Sequence, residues 1–108
     1  MPRVACMAPV LVWLAVACGT VGAARLYATG TAALERGDTA RAIADLERAA
    51  ELAPEASEIQ NHLGLAYQDS GRDLAALRAF ERAAELNCEN AAARENLAAA
   101  RARQGSSP

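Results

Sequence analysis

The residues from 47 to 52, Glu-Arg-Ala-Ala-Glu-Leu, recur without change from 81 to 86, which is 34 positions later. Two copies of a sequence at a fixed spacing of this size indicate two copies of one supersecondary unit. Such a unit cannot bury its apolar face alone, so the copies stack and leave a long surface free for partners. Further identical residues keep the same spacing: Gly30 and Gly64, Ala32 and Ala66, Gly37 and Gly71, Ala42 and Ala76, Glu55 and Glu89.

Apolar residues in each unit are spaced as they are on one face of a helix. In the second unit these faces consist of Ile59, Leu63, Ala66 and Tyr67, then of Ala76, Phe80, Ala83 and Ala84. Gly71 is suited to end the first helix and Asp73 to cap the next, and Gly37 and Asp38 repeat this layout in the first unit. No stretch after residue 25 alternates with a period of two, so the chain is predicted to be all-α and built from helical hairpins.

The second unit also carries the motif of a known repeat, in which Leu-Gly, Tyr, Ala and Phe follow at set intervals. The matching residues are Leu63, Gly64, Tyr67, Ala76 and Phe80 in the second unit, and Gly30, Ala42 and Pro54 in the first. On these residues the chain resembles the tetratricopeptide repeat family. The chain departs from the family at Gln60, where the pattern has Trp, and at Cys88, where it has Pro.

The resemblance implies antiparallel helical hairpins stacked as a short right-handed solenoid. Its predicted boundaries are residues 23–56 for repeat one, 57–90 for repeat two and 91–103 for a C-terminal capping helix, which together form a domain over 25–103 after the N-terminal segment. Asn90 is suited to cap the last helix, and Arg101 lies on its otherwise apolar side, as expected of a terminal helix that faces water. Residues 104–108 are predicted to be a disordered tail.

The composition limits the partners and the stability of such a domain. The net charge is −2, so there is no basic surface for nucleic acid, and all eleven basic residues are arginine, as in proteins of high-GC genomes. Repeat arrays usually need about three units for stability. With two and a half units, the domain is predicted to be completed by a partner, to self-associate or to fold weakly.

The first 24 residues are predicted to direct the location of the protein. The stretch from 4 to 24 has no charged residue and lies between Arg3 and Arg25. An early arginine, a short apolar core and then small residues are the layout of a secretory signal peptide. We therefore predict that residues 1–24 are a signal peptide or a membrane anchor, and that the protein is exported to the periplasm or tethered to the outer membrane of a bacterium.

Three ways of processing this segment remain open. The sequence from 14 to 18, Leu-Ala-Val-Ala-Cys, resembles a bacterial lipobox, in which Cys18 would be lipidated and would become the N-terminus. Ordinary cleavage after the small-residue runs 21–23 or 22–24 is the second route. In the third, the segment stays as an uncleaved anchor, because twenty-one uncharged residues can just span a bilayer.

The processing of the N-terminal segment determines which cysteines remain in the mature protein. Cys6 would leave with a signal peptide and Cys18 would carry a lipid, so Cys88 would remain alone and could form no intrachain disulfide. Because small cysteines often merely pack, Cys88 is interpreted as a tolerated substitution in the turn between repeats, with a redox or intermolecular role as the alternative.

Catalytic and cofactor motifs are missing from the sequence. His62 is the single histidine, no nucleophile is placed beside it by a recognisable motif, and no CxxC or HxxxH spacing indicates a metal site. The glycines are explained by turns and helix packing, without a phosphate-binding loop. No enzyme activity, cofactor or metal is predicted, and His62 is expected on a helix surface or partly buried.

In the family, the first helix of each hairpin lines a concave groove, and the resemblance implies which residues would do so here. They are Tyr27, Thr31, Leu34, Glu35, Glu58, Asn61, Leu65, Gln68, Asp69, Glu95 and Asn96. Some relatives hold a peptide carboxylate with a clamp of Lys, Arg and Asn, and the matching positions here, which include His62, lack the cations. The mixture of apolar and acidic residues favours a partner segment that is basic and apolar.

Two functions are compatible with this sequence. The first is a non-catalytic adaptor or scaffold that brings proteins together in the bacterial cell envelope through the groove. The second is a structural subunit that self-associates into a homo-oligomer, with the open end of one copy covering another and no separate peptide ligand.

Overall fold

The structure of the protein is a computed structural model that describes residues 17–106, with side chains from residue 20 onward. It consists of five helices: α1 (Ala17–Glu35), α2 (Thr39–Leu52), α3 (Ser57–Asp69), α4 (Asp73–Leu86) and α5 (Ala91–Gly105). No strand occurs in the described residues, which confirms the all-α prediction.

The helices pack as two hairpins, α1 with α2 and α3 with α4, and α5 covers the end of the second hairpin. The helices α1, α3 and α5 contact one another in series, whereas α2 and α4 do not contact each other. The helices α1, α3 and α5 therefore form one layer and α2 and α4 a second layer. We call the side formed by α1, α3 and α5 the concave side, after the groove that the family resemblance implies for these helices. The predicted arrangement of stacked hairpins is confirmed.

Both hairpins turn in the same way. Gly37 and Gly71 have positive φ angles of 79° and 78°, a conformation in which a Cβ atom would be strained. The amide of the next residue reaches back to the helix end in each case, from Asp38 to the carbonyl of Ala33 at 2.9 Å and from Arg72 to that of Tyr67 at 2.8 Å. These hydrogen bonds are those of a Schellman motif, so the two glycines end their helices as predicted.

The capping residues differ between the two hairpins. The carboxylate of Asp38 accepts a hydrogen bond from the amide of Arg41 at 3.3 Å and caps α2. The prediction that Asp73 caps α4 is wrong, because Asp73 is already the first helical residue and the capping position is held by Arg72, which makes no side-chain cap. In this position the Asp73 carboxylate still lies in the first turn, where its negative charge interacts favourably with the positive end of the helix dipole.

Missing side chains at two glycines allow the helices of each hairpin to approach closely. A Cβ atom at Gly64 would lie 2.5 Å from Cε1 of Phe80, and one at Gly30 would lie 2.8 Å from Cγ of Leu46. Phe80 and Leu46 are the largest fully buried side chains, so each glycine lies directly against the main apolar residue of its own hairpin.

The core continues through the whole stack. One cluster joins α1 and α2 to α3 through Ala33, Leu46, Leu63 and Ala66, and a second joins α4 to α5 through Ala76, Phe80, Leu97 and Ala100. The last helix therefore buries Phe80, whose cluster would otherwise form an open end. Arg101 is exposed on α5, as predicted for a helix that faces water.

The helix ends differ from the predicted boundaries. α1 begins at Ala17, eight residues before the predicted start of the domain at 25. α5 ends at Gly105, so residues 104 and 105 belong to the helix, whereas the tail was predicted to begin at 104. The rest of the predicted signal segment and residues 107–108 lie outside the described residues, as does the side chain of Cys18.

Cys88 is disulfide-bonded, so the prediction that it remains alone is wrong. That prediction assumed that Cys6 is removed and that Cys18 is lipidated. The partner of Cys88 lies outside the described side chains, because Cys88 is the one cysteine among the side chains that the structure describes.

Candidate functional site

The predicted groove residues lie on α1, α3 and α5, the three helices of the concave side. Their burial divides them into three groups. The acidic residues Glu35, Glu58, Asp69 and Glu95 are exposed; Tyr27, Thr31, Leu34, Leu65, Gln68 and Asn96 are half-buried; Asn61 is buried. The concave side therefore presents exposed carboxylates beside half-buried side chains that are partly apolar and partly polar.

Tyr27 connects the first two helices of the concave side. Its hydroxyl lies 3.1 Å from Nδ1 of His62, and the two rings meet edge to face with centroids 5.2 Å apart. The same Nδ1 atom lies 3.0 Å from the backbone carbonyl of Glu58, so the tautomer of His62 decides whether it accepts from Tyr27 or donates to that carbonyl. His62 is half-buried and is held by the fold in this contact.

The phenol of Tyr27 lies in a negative environment. Burial, and after it the charge of the Glu58 carboxylate, raise the pKa of the Tyr27 hydroxyl above its ordinary value. Glu58 is therefore close enough to act on Tyr27 electrostatically. An aromatic ring with a carboxylate beside it is an arrangement that attracts a cation.

We call the contact between α1 and α3 the first junction and the contact between α3 and α5 the second junction. The second junction uses the same two positions of the repeat as the first. Asn96 donates a hydrogen bond from Nδ2 to Oδ1 of Asn61 at 2.9 Å. Asn61 follows Tyr27 by 34 residues and Asn96 follows His62 by 34, so an aromatic pair at one junction corresponds to an amide pair at the next. With 3% of its surface exposed, Asn61 belongs to the contact between helices, in contrast to its predicted place in the open groove.

A hydrogen-bond network at Asn90 fixes the start of α5. The Oδ1 atom of Asn90 accepts from the amide of Ala93 at 3.1 Å, which confirms the predicted cap. Its Nδ2 atom donates to Oγ of Ser57 at 2.9 Å and to Oε1 of Glu58 at 3.2 Å. Ser57 in turn donates to the carbonyl of Ala83 at 2.8 Å. Asn90 therefore connects α5 to α3, and Ser57 extends the network to α4.

Sequence reasoning missed these junction contacts. It placed Tyr27 and Asn61 in the groove as residues that select a partner, and it did not predict that each is also bonded to the next hairpin or helix. Tyr27 stays half-buried, whereas Asn61 is buried by its contact. The available signal was the shared register of Tyr27 with Asn61 and of His62 with Asn96, because polar residues at repeated positions on packed helices must find partners.

Charged residues of α2 and α4 form ion pairs, unlike the exposed acidic residues of the concave side. The ion pairs among the described residues join Arg41 to Asp45 at 2.9 Å, Arg82 to Glu85 at 3.9 Å and Arg101 to Glu81 at 3.8 Å. All of them lie on α2, on α4 or between α4 and α5. Of the acids on the concave side, Glu58 has the hydrogen bond from Asn90, and the exposed Glu35, Asp69 and Glu95 are in none of these pairs.

Tyr67 connects α3 to α2. Its hydroxyl donates to Oε2 of Glu47 at 2.9 Å, and burial together with this hydrogen bond raises the pKa of Tyr67 to about 12. A shallow cavity of about 260 Å³ lies beside it and contains none of the predicted groove residues. The residues that line it are Gln60, Leu63, Tyr67, Ala75, Arg78 and Ala79.

Residues 17–106 contain neither a metal site nor a helix that could cross a membrane. No group of three or more His, Cys, Asp or Glu side chains in this part of the chain is arranged to hold a metal ion. None of the five helices combines the length and the apolar character that a membrane crossing requires.

The comparisons with known proteins agree with this architecture. The family model described as tetratricopeptide repeat matches residues 27–77, which run from the junction residue Tyr27 into α4. No curated protein matches the chain significantly. Repeats of the matching family generally mediate protein–protein interaction and are typically non-catalytic scaffolds that bind protein or peptide partners.

Proposed function

Because residues 27–77 belong to the tetratricopeptide repeat family, we propose that this protein is an adaptor that binds a basic and apolar segment of another protein across α1, α3 and α5. The observation that carries the proposal is the charge of the concave side. Glu35, Asp69 and Glu95 are exposed there and lie outside the described ion pairs. A cationic partner would supply the missing counter-charges.

Tyr27 and Glu58 give the proposed groove a site for one basic side chain. Burial, and after it the Glu58 carboxylate, raise the pKa of Tyr27, and the charge of that carboxylate would also attract the guanidinium of an arginine or the ammonium of a lysine. The half-buried Leu65 provides apolar contact for a neighbouring residue of the partner. A segment that combines basic and apolar residues therefore fits this surface better than an acidic segment.

We place this adaptor in the bacterial cell envelope, held near the membrane by its N-terminal segment. The support for this location is the uncharged stretch from 4 to 24 between two arginines. Assembly of proteins at a membrane needs a connector that has one end fixed and one surface free, and a repeat domain with an N-terminal tether meets that need.

Self-association is the second candidate function. An observation in its favour is that α5 has no following helix among the described residues, so one of its faces is open. However, this face is made of alanine and charged residues, and the ion pair from Arg101 to Glu81 covers its edge. The large apolar residues that are exposed, Val21, Leu52 and Leu74, lie on other helices.

The test of the groove uses a double charge reversal, Glu35→Arg with Asp69→Arg. The probe is a synthetic peptide of alternating arginine and leucine, and binding is measured by fluorescence anisotropy at 0.15 M salt. We expect the double variant to bind this peptide at least tenfold more weakly than the unchanged protein, because two favourable charges become repulsive.

The matched control is Glu51→Arg with Glu89→Arg, which changes the net charge equally at exposed positions away from the concave side. This control should keep most of the affinity. If both double variants lose affinity equally, binding follows net charge alone, and the assignment of the groove is wrong. A peptide with glutamate in place of arginine should not bind.

A further inference from the structure

The first helix extends beyond the repeat to which it belongs. α3 begins at Ser57, and the residue at the same register position in the first repeat is Ala23. α1 nevertheless starts at Ala17, so its helix continues for six residues upstream of that position. No turn separates the first repeat from the end of the uncharged stretch.

These upstream residues contribute to the packing of the domain. Ala23 is 3% exposed and belongs to a cluster with Ala49 of α2 and Ile59 of α3, both buried. Gly22 lies against Leu52, since a Cβ atom at this glycine would be 3.2 Å from Cδ1 of Leu52. The end of α1 therefore covers the contact between the first two hairpins.

We infer that the mature protein keeps Gly22 and Ala23, so that its connection to the membrane lies upstream of Gly22 and cleavage between Gly22 and Arg25 does not occur. The inference rests on the proposed export of the chain. Cleavage after Ala23 or Ala24 would remove the alanine that covers Ala49 and Ile59 and leave this contact open to water.

The disulfide at Cys88 supports the same conclusion independently. The chain has three cysteines, and the other two, Cys6 and Cys18, both precede Gly22. Cleavage after Ala23 or Ala24 would leave Cys88 without a cysteine of its own chain to bond. Lipidation of Cys18 would also leave Cys88 without a partner, because Cys6 would be removed and the Cys18 sulfur would carry the lipid. The disulfide therefore favours an uncleaved apolar segment, which places an apolar group upstream of the domain.

Two exposed apolar residues lie at this end of the domain. Val21 is 62% exposed and Leu52 is 41% exposed, and Leu52 contacts the adjacent Gly22. Exposed aliphatic side chains beside an attached apolar group are suited to lie on a lipid surface. The observations therefore favour a domain held close to the bilayer at the start of α1, over a freely diffusing one.

The first experiment is intact mass spectrometry of the full chain, expressed in a bacterial host and extracted from the cell envelope. A mass that begins at or before Gly22 supports the inference. A mass that begins at Ala23, Ala24 or Arg25 overturns it. An unprocessed chain in which Cys88 is protected from alkylation identifies the uncleaved route and supports the inference with its disulfide argument. A diacylglycerol at Cys18 together with a Cys88 that is open to alkylation identifies the lipid route, which supports the retention of Gly22 and Ala23 and overturns the argument from the disulfide.

The second experiment compares Ala23→Asp with Val21→Asp in the detergent-solubilised full chain. The first variant buries a charge, and we expect its melting temperature to fall by roughly 10 °C or more, whereas the second should shift by about 2 °C or less. If Ala23→Asp does not fold, Ala23→Leu and Val21→Leu give a milder comparison in the same order. Equal effects at the two positions would contradict the inference.

The two proposals fail separately. If the variant Glu35→Arg with Asp69→Arg binds the arginine–leucine peptide as well as the unchanged protein does, the proposed groove is wrong, but the N-terminus found by mass spectrometry is not affected. A mature chain that begins at Arg25 but still binds the peptide would refute the inference about the tether and leave the proposed groove intact.

Discussion

Individual residues determine how closely the helices of each hairpin pack. Gly64 and Gly30 have no Cβ, and the space is filled by Phe80 and by Leu46, which are fully buried. Large apolar side chains are few in this alanine-rich core, so each one accounts for a large part of the buried apolar area. A small change at these positions should therefore have a large effect.

We expect Gly64→Ala to reduce the free energy of unfolding by about 1–3 kcal/mol, because the new methyl group would overlap the ring of Phe80. The matched control is Gly105→Ala, where nothing lies within 4 Å of the new Cβ. The control should be neutral or stabilising by up to about 1 kcal/mol, since alanine favours a helix. Urea denaturation measures both, and a loss of similar size at both glycines would refute the packing argument.

Asp45 connects acidity to stability. Burial alone would raise the pKa of the Asp45 carboxyl, but hydrogen bonds from Arg41 and Thr29 outweigh it, so that this pKa is lowered. A pKa below the unfolded value means that the stabilisation is present above the unfolded pKa of about 4 and is lost as the pH falls through the folded pKa.

The expected result is a difference that depends on pH between the unchanged protein and Asp45→Asn. At pH 7 the variant should be less stable, by on the order of 1 kcal/mol, because an ionised hydrogen bond is replaced by a neutral one. At pH 3 the difference should be smaller, because part of the Asp45 carboxyl is then protonated in the folded protein. Chemical denaturation at both pH values provides the measurement, and a gap that stays constant would mean that the charge of Asp45 contributes nothing.

At the scale of helices and turns, the ends of the elements are fixed by different means. α2 has a single cap from Asp38, while the start of α5 has the network of Asn90 with Ser57, Glu58 and Ala93. The second arrangement combines a cap with a contact between three helices. Removing it should open the last helix as well as weaken its first turn.

We expect Asn90→Ala to cost about 2 kcal/mol or more and Asp38→Ala about 1 kcal/mol, because the first removes a cap and a buried hydrogen bond and the second only a cap. Hydrogen exchange should show faster exchange across α5 in the first variant and at the start of α2 in the second. Equal costs would show that the contacts of Asn90 to α3 add no stability.

The elements themselves were largely predictable from the sequence. The repeat spacing, the helical periodicity and Gly37 and Gly71 gave the hairpins, and Asp38 and Asn90 gave two caps. Asp73 was misplaced by one position because a helix boundary is uncertain by one or two residues in any sequence pattern. The described helices run from Ala17 to Gly105, beyond the predicted domain bounds of 25 and 103, and those bounds stay predictions.

The candidate site was less predictable. Register placed its residues on the concave side, but it gave no information on which side chains the fold itself would use. Asn61 and Asn96 meet across helices only because of the distance and angle between α3 and α5. Such quantities depend on packing between side chains far apart in the sequence, and a pattern along the chain does not contain them.

At the scale of the whole molecule, stability depends on the last helix. Leu97 and Ala100 of α5 cover the cluster around Phe80, which closes an array of only two hairpins. Since each unit contacts only its neighbours, the loss of a terminal unit exposes the next one to water. The domain should therefore unfold as one unit that includes α5.

We expect a chain shortened at residue 90 to lose cooperative unfolding, because removal of α5 exposes Phe80 and Leu65. Circular dichroism during heating should show a broad transition in place of a single sharp one. A shortened chain that ends at 105 is the control and should melt like the unchanged protein. Sharp melting of the chain without α5 would show that two hairpins are sufficient.

Oligomeric state distinguishes the two proposed functions. Size-exclusion chromatography with light scattering should find a monomer of the detergent-solubilised chain, after correction for bound detergent, because the exposed face of α5 offers alanine and charge. A mass that rises to a dimer with protein concentration would favour the self-associating subunit over the adaptor.

The register of the junction pairs also determines how the array can be extended. Position 27 meets position 62 and position 61 meets position 96, so a further unit supplied by a second copy would bring Glu95 to the alanine at position 28 of that copy. An alanine has no group to accept or donate there, and the carboxylate would be enclosed without a partner. The two junctions within one molecule are each joined by a pair of side chains that can hydrogen-bond, and a junction between two copies would have no such pair. Head-to-tail growth into a filament is therefore disfavoured.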